Sequence, residues 1–104
     1  MAESRCRQWD IHSTATDDAF VLIFQSDLLS DSRTRLVMPV VRKSSAPPDH
    51  PRLLPVVMSG DEVWVAVAMN IATLALPEIG RWIASAEHAR EDVTRALDMV
   101  LAGV

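Results

Sequence analysis

The sequence predicts an α+β, mostly-β fold in which short antiparallel strands form a small barrel or sheet and pack with one C-terminal α-helix. Three observations carry this. Apolar runs of strand length alternate with polar, turn-forming clusters. The last stretch repeats apolar residues at spacings of three and four. With 104 residues, 49% of them hydrophobic, the chain can bury one small core, so residues 1–104 are expected to form a single domain.

The elements follow in order. Residues 7–13 place Trp9 and Ile11 in rough alternation, as an edge-type strand does. Residues 13–18 are turn-rich, and residues 19–25 form a second, strongly apolar strand, giving a hairpin. Residues 26–34 are polar apart from Leu28 and Leu29 and read as an exposed loop. Residues 35–42 form a third strand containing Pro39, which cannot donate to a ladder and so marks a bulge or an edge. Residues 44–51 form a loop rich in serine and proline. Residues 53–58 and 62–69 flank Ser59, Gly60 and Asp61 as a second hairpin. The strand at 62–69 is apolar on both faces, so the helix or a second subunit must cover it. Residues 77–84 are ambiguous: Pro77 could open a short helix, but Gly80 weakens one.

The closing helix has Ser85 as its N-cap and Glu87 in its first turn. Ala89, Val93, Ala96, Leu97 and Val100 form its apolar stripe. Arg90, Glu91, Thr94, Arg95 and Asp98 take the other face, with Glu91 and Arg95 at i,i+4. Gly103 ends it. Trp64 is assigned to the core. Trp9 and Trp82 lean to the core, with a contact to a partner's peptide segment as the other role.

Composition narrows function. Net charge is −4, and the densest basic groups are only Arg5/Arg7, Arg33/Arg35 and Arg42/Lys43. That disfavours sequence-specific nucleic-acid binding, which needs a basic patch. The longest apolar runs, at 63–69 and 71–76, fall short of the roughly 18 residues of a membrane span. No apolar h-region follows the N-terminus, and a lone Cys6 forms no internal disulfide, so the cytoplasm is expected. His12, His50 and His88 have no metal-ligand spacing, the three glycines form no phosphate loop, and the acidic doublets read as turns and a helix face. No catalytic residue, metal or cofactor is expected.

A set of motifs adds to this reading. Phe24-Gln25-Ser26-Asp27-Leu28-Leu29 is followed by Arg35-Leu36-Val37-Met38-Pro39. Leu54-Pro55-Val56-Val57 leads into Gly60-Asp61-Glu62 and Trp64, then Ile79-Gly80, His88 and Gly103-Val104. This ordered set resembles the CcdB toxins, a bacterial gyrase-poison and plasmid-maintenance family with a CcdB/MazF-like fold. The resemblance covers nearly the whole chain from about Trp9 onward. It implies an SH3-like barrel with a C-terminal helix, a homodimer, and a CcdA-like antitoxin whose disordered tail wraps the dimer. It also implies a protein-binding topoisomerase inhibitor that traps DNA gyrase through its A subunit, and not an enzyme. The related MazF and Kid toxins share the fold but cleave RNA, so fold alone does not choose the activity. An endoribonuclease on this fold would need a groove with an Arg or His pair.

The gyrase-facing positions carry over one by one. Leu28 and Leu29 match an aliphatic pair of the family. Gly103 matches, and Val104 stands conservatively for isoleucine, in a terminal Trp-Gly-Ile signature. Ala102 replaces the tryptophan, Leu101 stands where the family's prototype has phenylalanine, and Asp98 replaces an asparagine. Truncating a central tryptophan costs about 2–4 kcal/mol, or roughly thirty- to a thousand-fold in affinity. The resemblance therefore implies a weakened or inactive poison, another gyrase surface or target, or a non-toxic homologue that only binds antitoxin.

Overall fold

The computed structural model describes residues 6–103. It is a seven-stranded, curled half-barrel sheet with one C-terminal helix. The strands are β1 (Asp10–Thr14), β2 (Phe20–Ile23), β3 (Thr34–Arg42), β4 (Val56–Met58), β5 (Trp64–Ala66), β6 (Ala72–Ala75) and β7 (Ile79–Ser85), and the helix is α1 (Arg90–Ala102). Their order is β4-β5-β3-β2-β1-β7, with β6 also on β3, and every pairing is antiparallel. Among the described residues no helix is long and apolar enough to cross a membrane.

Strict alternation along β2 and β3 divides the core. Leu22, Met38 and Val40 enter one cluster with Ile11, Val57 and Ala66, and α1 closes it with Val93 and Ala96. Val21, Ile23 and Val37 point the other way, into a smaller cluster with Ile79. A 13-residue helix is marginal alone. Burial of its Ala89, Val93 and Ala96 stripe holds it, with Leu97 and Val100 packed alongside.

Several expectations change in detail. Pro39 marks neither a bulge nor an edge. It pairs with Val21 in unbroken register, on a strand bonded along both sides. On the side away from β2, β3 pairs with β6 through residues 34–37 and with β5 through residues 40–42. Pro39 lies opposite the break between them, and its carbonyl accepts from Val67 N–H (2.8 Å) on that side. A missing donor is harmless where no strand partner needs it. The apolar strand expected at 62–69 stops at Ala66, bends through a one-turn helix at Ala68–Asn70 and resumes as β6. Its residues Val65, Ala66, Val67 and Ala68 are buried by the chain's own elements, so no second subunit is needed to cover them.

The first strand starts late because Trp9 has φ +74°, an outlier for a bulky side chain. Two backbone bonds hold it there: Trp9 N–H donates to Ile23 O, and Trp9 O accepts from Ala86 N–H, both at 2.7 Å. Residues 77–84 resolve as a one-turn helix at Leu76–Glu78 followed by β7, not as a longer helix. Gly80 is what lets β7 close on β1. A Cβ there would lie 2.5 Å from Thr14 O and 2.7 Å from Ser13 Oγ. Ser85 is not the N-cap: it ends β7 and its Oγ accepts from Glu87 N–H (3.2 Å), while the one-turn lead-in at Glu87–Ala89 starts from Ala86 and α1 from Ala89, neither with a side-chain cap. Glu91 does not pair with Arg95; Asp92 does, at 3.8 Å. Trp64 is half-buried, not fully in the core. It packs against Phe20 at 5.2 Å, with the Arg42 guanidinium 5.6 Å from its ring centre.

Asp18 closes the β1–β2 turn. Its carboxylate accepts from Thr14 Oγ1 (2.7 Å) and Thr16 Oγ1 (2.8 Å). These bonds, Thr14's first, hold its pKa below the ordinary carboxylate value.

Two outcomes follow. Gly80→Ala destabilises the fold by about 1–3 kcal/mol, read as a lowered urea midpoint, because the backbone of β1 must move. Asp18→Asn loses a small stabilisation that exists above the unfolded carboxylate value and is lost as pH falls through the lower folded one. The gap in urea midpoint between Asp18→Asn and the unmodified protein is therefore open at neutral pH and closes below about pH 4.

Candidate functional site

The first part of the site is the turn after β2. Residues 26–29 form a one-turn helix at Asp27–Leu29, capped by Ser26, whose Oγ accepts from Leu28 N–H (3.1 Å). Leu29 N–H donates to Ser26 O (3.0 Å), Ser30 N–H to Asp27 O (3.1 Å) and Ser32 N–H to Leu29 O (3.0 Å). Asp27 Oδ1 accepts from Gln8 N–H (2.8 Å), tying the turn to the chain before β1. Buried Gln25 supports it from beneath: Nε2 donates to Leu29 O (3.3 Å), and Oε1 accepts from Leu36 N–H (3.2 Å). On this scaffold Leu28 is 94% exposed and Leu29 58% exposed. An apolar side chain held in water by a stiff turn contributes nothing to the core, and such positions are candidates for contact with a partner.

The second part is the end of α1. Gly103 takes φ +71° and donates its N–H to Met99 O (3.2 Å), the left-handed cap that glycine permits. Leu101 is 74% exposed, and Asp98 and Ala102 also face solvent. Asp98 and Ala102 are four apart and Leu101 three from Asp98, so they share the last turns of one helix. Val104 lies outside the described residues.

The two parts do not meet within one chain. Asp27 lines a cleft of about 740 Å³ with Trp9, Trp82, Glu87 and Arg90, beside the first turns of α1. Leu101 lies eleven residues further along the helix than Arg90, or about 17 Å. Asp98 instead lines a second cleft, of about 720 Å³, with Arg52, Leu54, Asp92, Arg95 and Met99.

Other polar groups fall into place. His12 is buried and its Nδ1 donates to Gly80 O (3.0 Å), which fixes the tautomer, since a carbonyl only accepts. His50 accepts from Arg52 N–H (3.1 Å), and His88 is exposed. Among the described residues no cluster could hold a metal ion. Among the described residues Arg7, Arg33 and Arg35 line one cleft, interleaved with Asp27 and Asp31. Arg42 pairs with Glu62 (3.1 Å), and Arg5 lies outside the described residues. Arg35 is 4% exposed, with its guanidinium against loop carbonyls. The sequence places Arg35 in a basic pair with Arg33, and Gln25 only in a strand and a family motif, with no role for either in holding the turn. The available signal was their position flanking a polar loop that carries two leucines.

Three solved structures of toxins or ribonucleases share this fold. An endoribonuclease in complex with its cognate antitoxin, from a mycobacterial species, superposes with TM-score 0.73 at 15% identity, covering 91% of this chain and 93% of its own. An endoribonuclease from a mycobacterial species gives 0.71 at 17%, covering 91% and 89%. The Mycobacterium tuberculosis toxin MazF-mt6 gives 0.70 at 18%, covering 88% and 94%. These likenesses correct the expectation that the chain is not an enzyme. The fold is one that endoribonucleases use, and the absence of a spaced motif does not exclude catalysis by groups that converge only in three dimensions. A family model described as CcdB protein matches residues 8–103. The chain belongs to the CcdB family, the toxin side of toxin–antitoxin pairs.

Proposed function

We propose that this toxin works as a homodimer that docks on the A subunit of DNA gyrase, and that an antitoxin segment neutralises it. The contact surface comprises the Leu28/Leu29 turn together with Asp98, Leu101, Ala102, Gly103 and Val104. The observation that carries the reading is Leu28, an apolar side chain 94% exposed on a turn fixed by hydrogen bonds on both sides. Leucine is less common among interface hot spots than tryptophan, tyrosine or arginine, but an apolar side chain whose pose is fixed in advance loses little to ordering when it docks. The helix tip supplies a smaller apolar contribution, since Ala102 offers little surface. A second copy supports one continuous face, because the turn and the tip lie toward opposite ends of α1 within a single chain. A neighbour of the same fold is solved with its cognate antitoxin, which supports an antitoxin partner here.

RNA cleavage is the second reading. It is favoured by the endoribonuclease neighbours and by the cleft that holds Arg52 and Arg95. Asp92 and Asp98 line the same cleft and would repel a phosphate backbone, so this reading carries less weight.

A gyrase cleavage assay with purified protein, beside an RNA cleavage assay, separates the two. Weak trapping of gyrase is expected from the unmodified protein. Ala102→Trp raises potency by roughly thirty- to a thousand-fold. Trapping by neither protein, with RNA cleavage that Arg52→Ala and Arg95→Ala abolish, replaces the first reading with the second. Leu28→Ala weakens binding to the gyrase A subunit by roughly ten- to a hundred-fold. Its urea midpoint shifts by no more than about 0.5 kcal/mol of stability, because the side chain packs on nothing. A monomer by light scattering at working concentration overturns the dimeric part.

A further inference from the structure

We propose that Arg35 is a positioning residue: its buried guanidinium fixes the loop that presents Leu28 and Leu29 to the target. Four backbone carbonyls converge on it. Arg35 Nε donates to Cys6 O (3.0 Å), Nη1 to Ser32 O (2.6 Å) and Thr34 O (2.9 Å), and Nη2 to Ser30 O (3.0 Å). Among the described residues no carboxylate is bonded to it, although Asp27 and Asp31 line the cleft beside it together with Arg7 and Arg33. A charge 4% exposed and bonded only to neutral groups is costly to bury.

What that burial secures is geometric. The irregular stretch after the Asp27–Leu29 turn has carbonyls that no strand satisfies, and a planar fork of five donors can reach several at once. An apolar residue would leave them unbonded, and a lysine would offer one point in place of a plane. Arg35 is also part of the ladder with β6, opposite Leu74, so the fork is anchored to the sheet. It grips the far side of the loop at Ser30 and Ser32, while Gln25 grips the near side at Leu29. Leu28 stands just before both grips, one residue ahead of Leu29, and its own N–H is held by Ser26 Oγ. Its freedom is removed before any partner arrives, and the ordering cost of docking falls accordingly.

This inference rests on the docking reading above, and its test keeps the two apart. Amide exchange by NMR reports the loop directly. In Arg35→Lys the amides of Leu29, Ser30 and Ser32 exchange at least about tenfold faster, while those of Leu22 and Val40 in the sheet keep their rates. Unchanged protection of the loop overturns the proposal. Binding to the gyrase A subunit then shows what the loop is held for. Arg35→Lys weakens it about tenfold alone and less than about twofold on top of Leu28→Ala, because the arginine acts through the leucine. Full additivity makes Arg35 a structural residue only and sinks the proposal. If Arg35→Lys does not fold, the unmodified protein still decides. The Arg35 Nε–H and the Leu29, Ser30 and Ser32 amides should be released by one opening and share its equilibrium constant. Turn amides that open about a hundredfold more often than the guanidinium is released refute the coupling. If the unmodified protein does not bind the gyrase A subunit, the docking reading fails, and the exchange data alone decide whether Arg35 holds the loop.

Discussion

Both edges of β3 must be occupied, and the rest of the molecule follows from that demand. One edge takes β2 in continuous register. The other takes β6 and β5 in tandem, as though a single strand had been broken at the one-turn helix Ala68–Asn70. A nine-residue strand with proline inside tolerates this only if the missing donor falls at the break, and Pro39 falls there. Because the break turns the second edge, the sheet curls instead of lying flat. Curling gives it an inner and an outer apolar cluster, one closed by α1 and the other gathered around Val21, Ile23, Val37 and Ile79. The same strand carries Arg35 as its second residue, so the loop that bears Leu28 is tied to a strand paired along both edges.

The sequence was most legible where one period of burial ran undisturbed. The stripe of α1 and the alternation in β2 and β3 are written in residue type alone, and both hairpins could be located from their turns. It was least legible where tertiary contacts override local preference. Nothing in residues 77–84 announces a strand. Pro77 and Gly80 argue against regular structure, and only the close approach of β1 explains why glycine is needed there. Trp9 is a similar case. Its left-handed backbone is set by bonds to Ile23 and Ala86, residues distant in sequence, and no local rule places a tryptophan in that conformation.

The candidate site divides along the same line. Leu28 and Leu29 were visible as apolar residues in a polar loop, and the structure leaves them exposed. The tip of α1 was visible through Gly103 and its helical spacing. What holds the leucines in place was hidden, since Arg35 reads as a surface cation until its four carbonyl partners are known. A buried, carbonyl-bound arginine has no sequence signature, because its partners are backbone groups that every residue carries. Likewise, the absence of a spaced catalytic motif was read as absence of catalysis, although a fold shared with endoribonucleases needs only residues that meet in space.

The substitution at the helix tip bears on how the two parts of the site share a target. Where the family's prototype has tryptophan this chain has Ala102, and the loss there is about 2–4 kcal/mol for a docked indole. The turn is unaffected by that change: its two leucines and its bonds are intact. If gyrase is the target, the weight of the interaction passes from the tip to the turn. Each exposed leucine offers about 1.5–3 kcal/mol on burial, so the pair is comparable to the missing indole, provided its pose is fixed in advance. A loosely held pair would lose part of that gain to side-chain and loop ordering. Rigidity of the turn is then more consequential in this chain than in one that keeps the tryptophan, and the buried guanidinium beneath it becomes the feature on which target affinity turns.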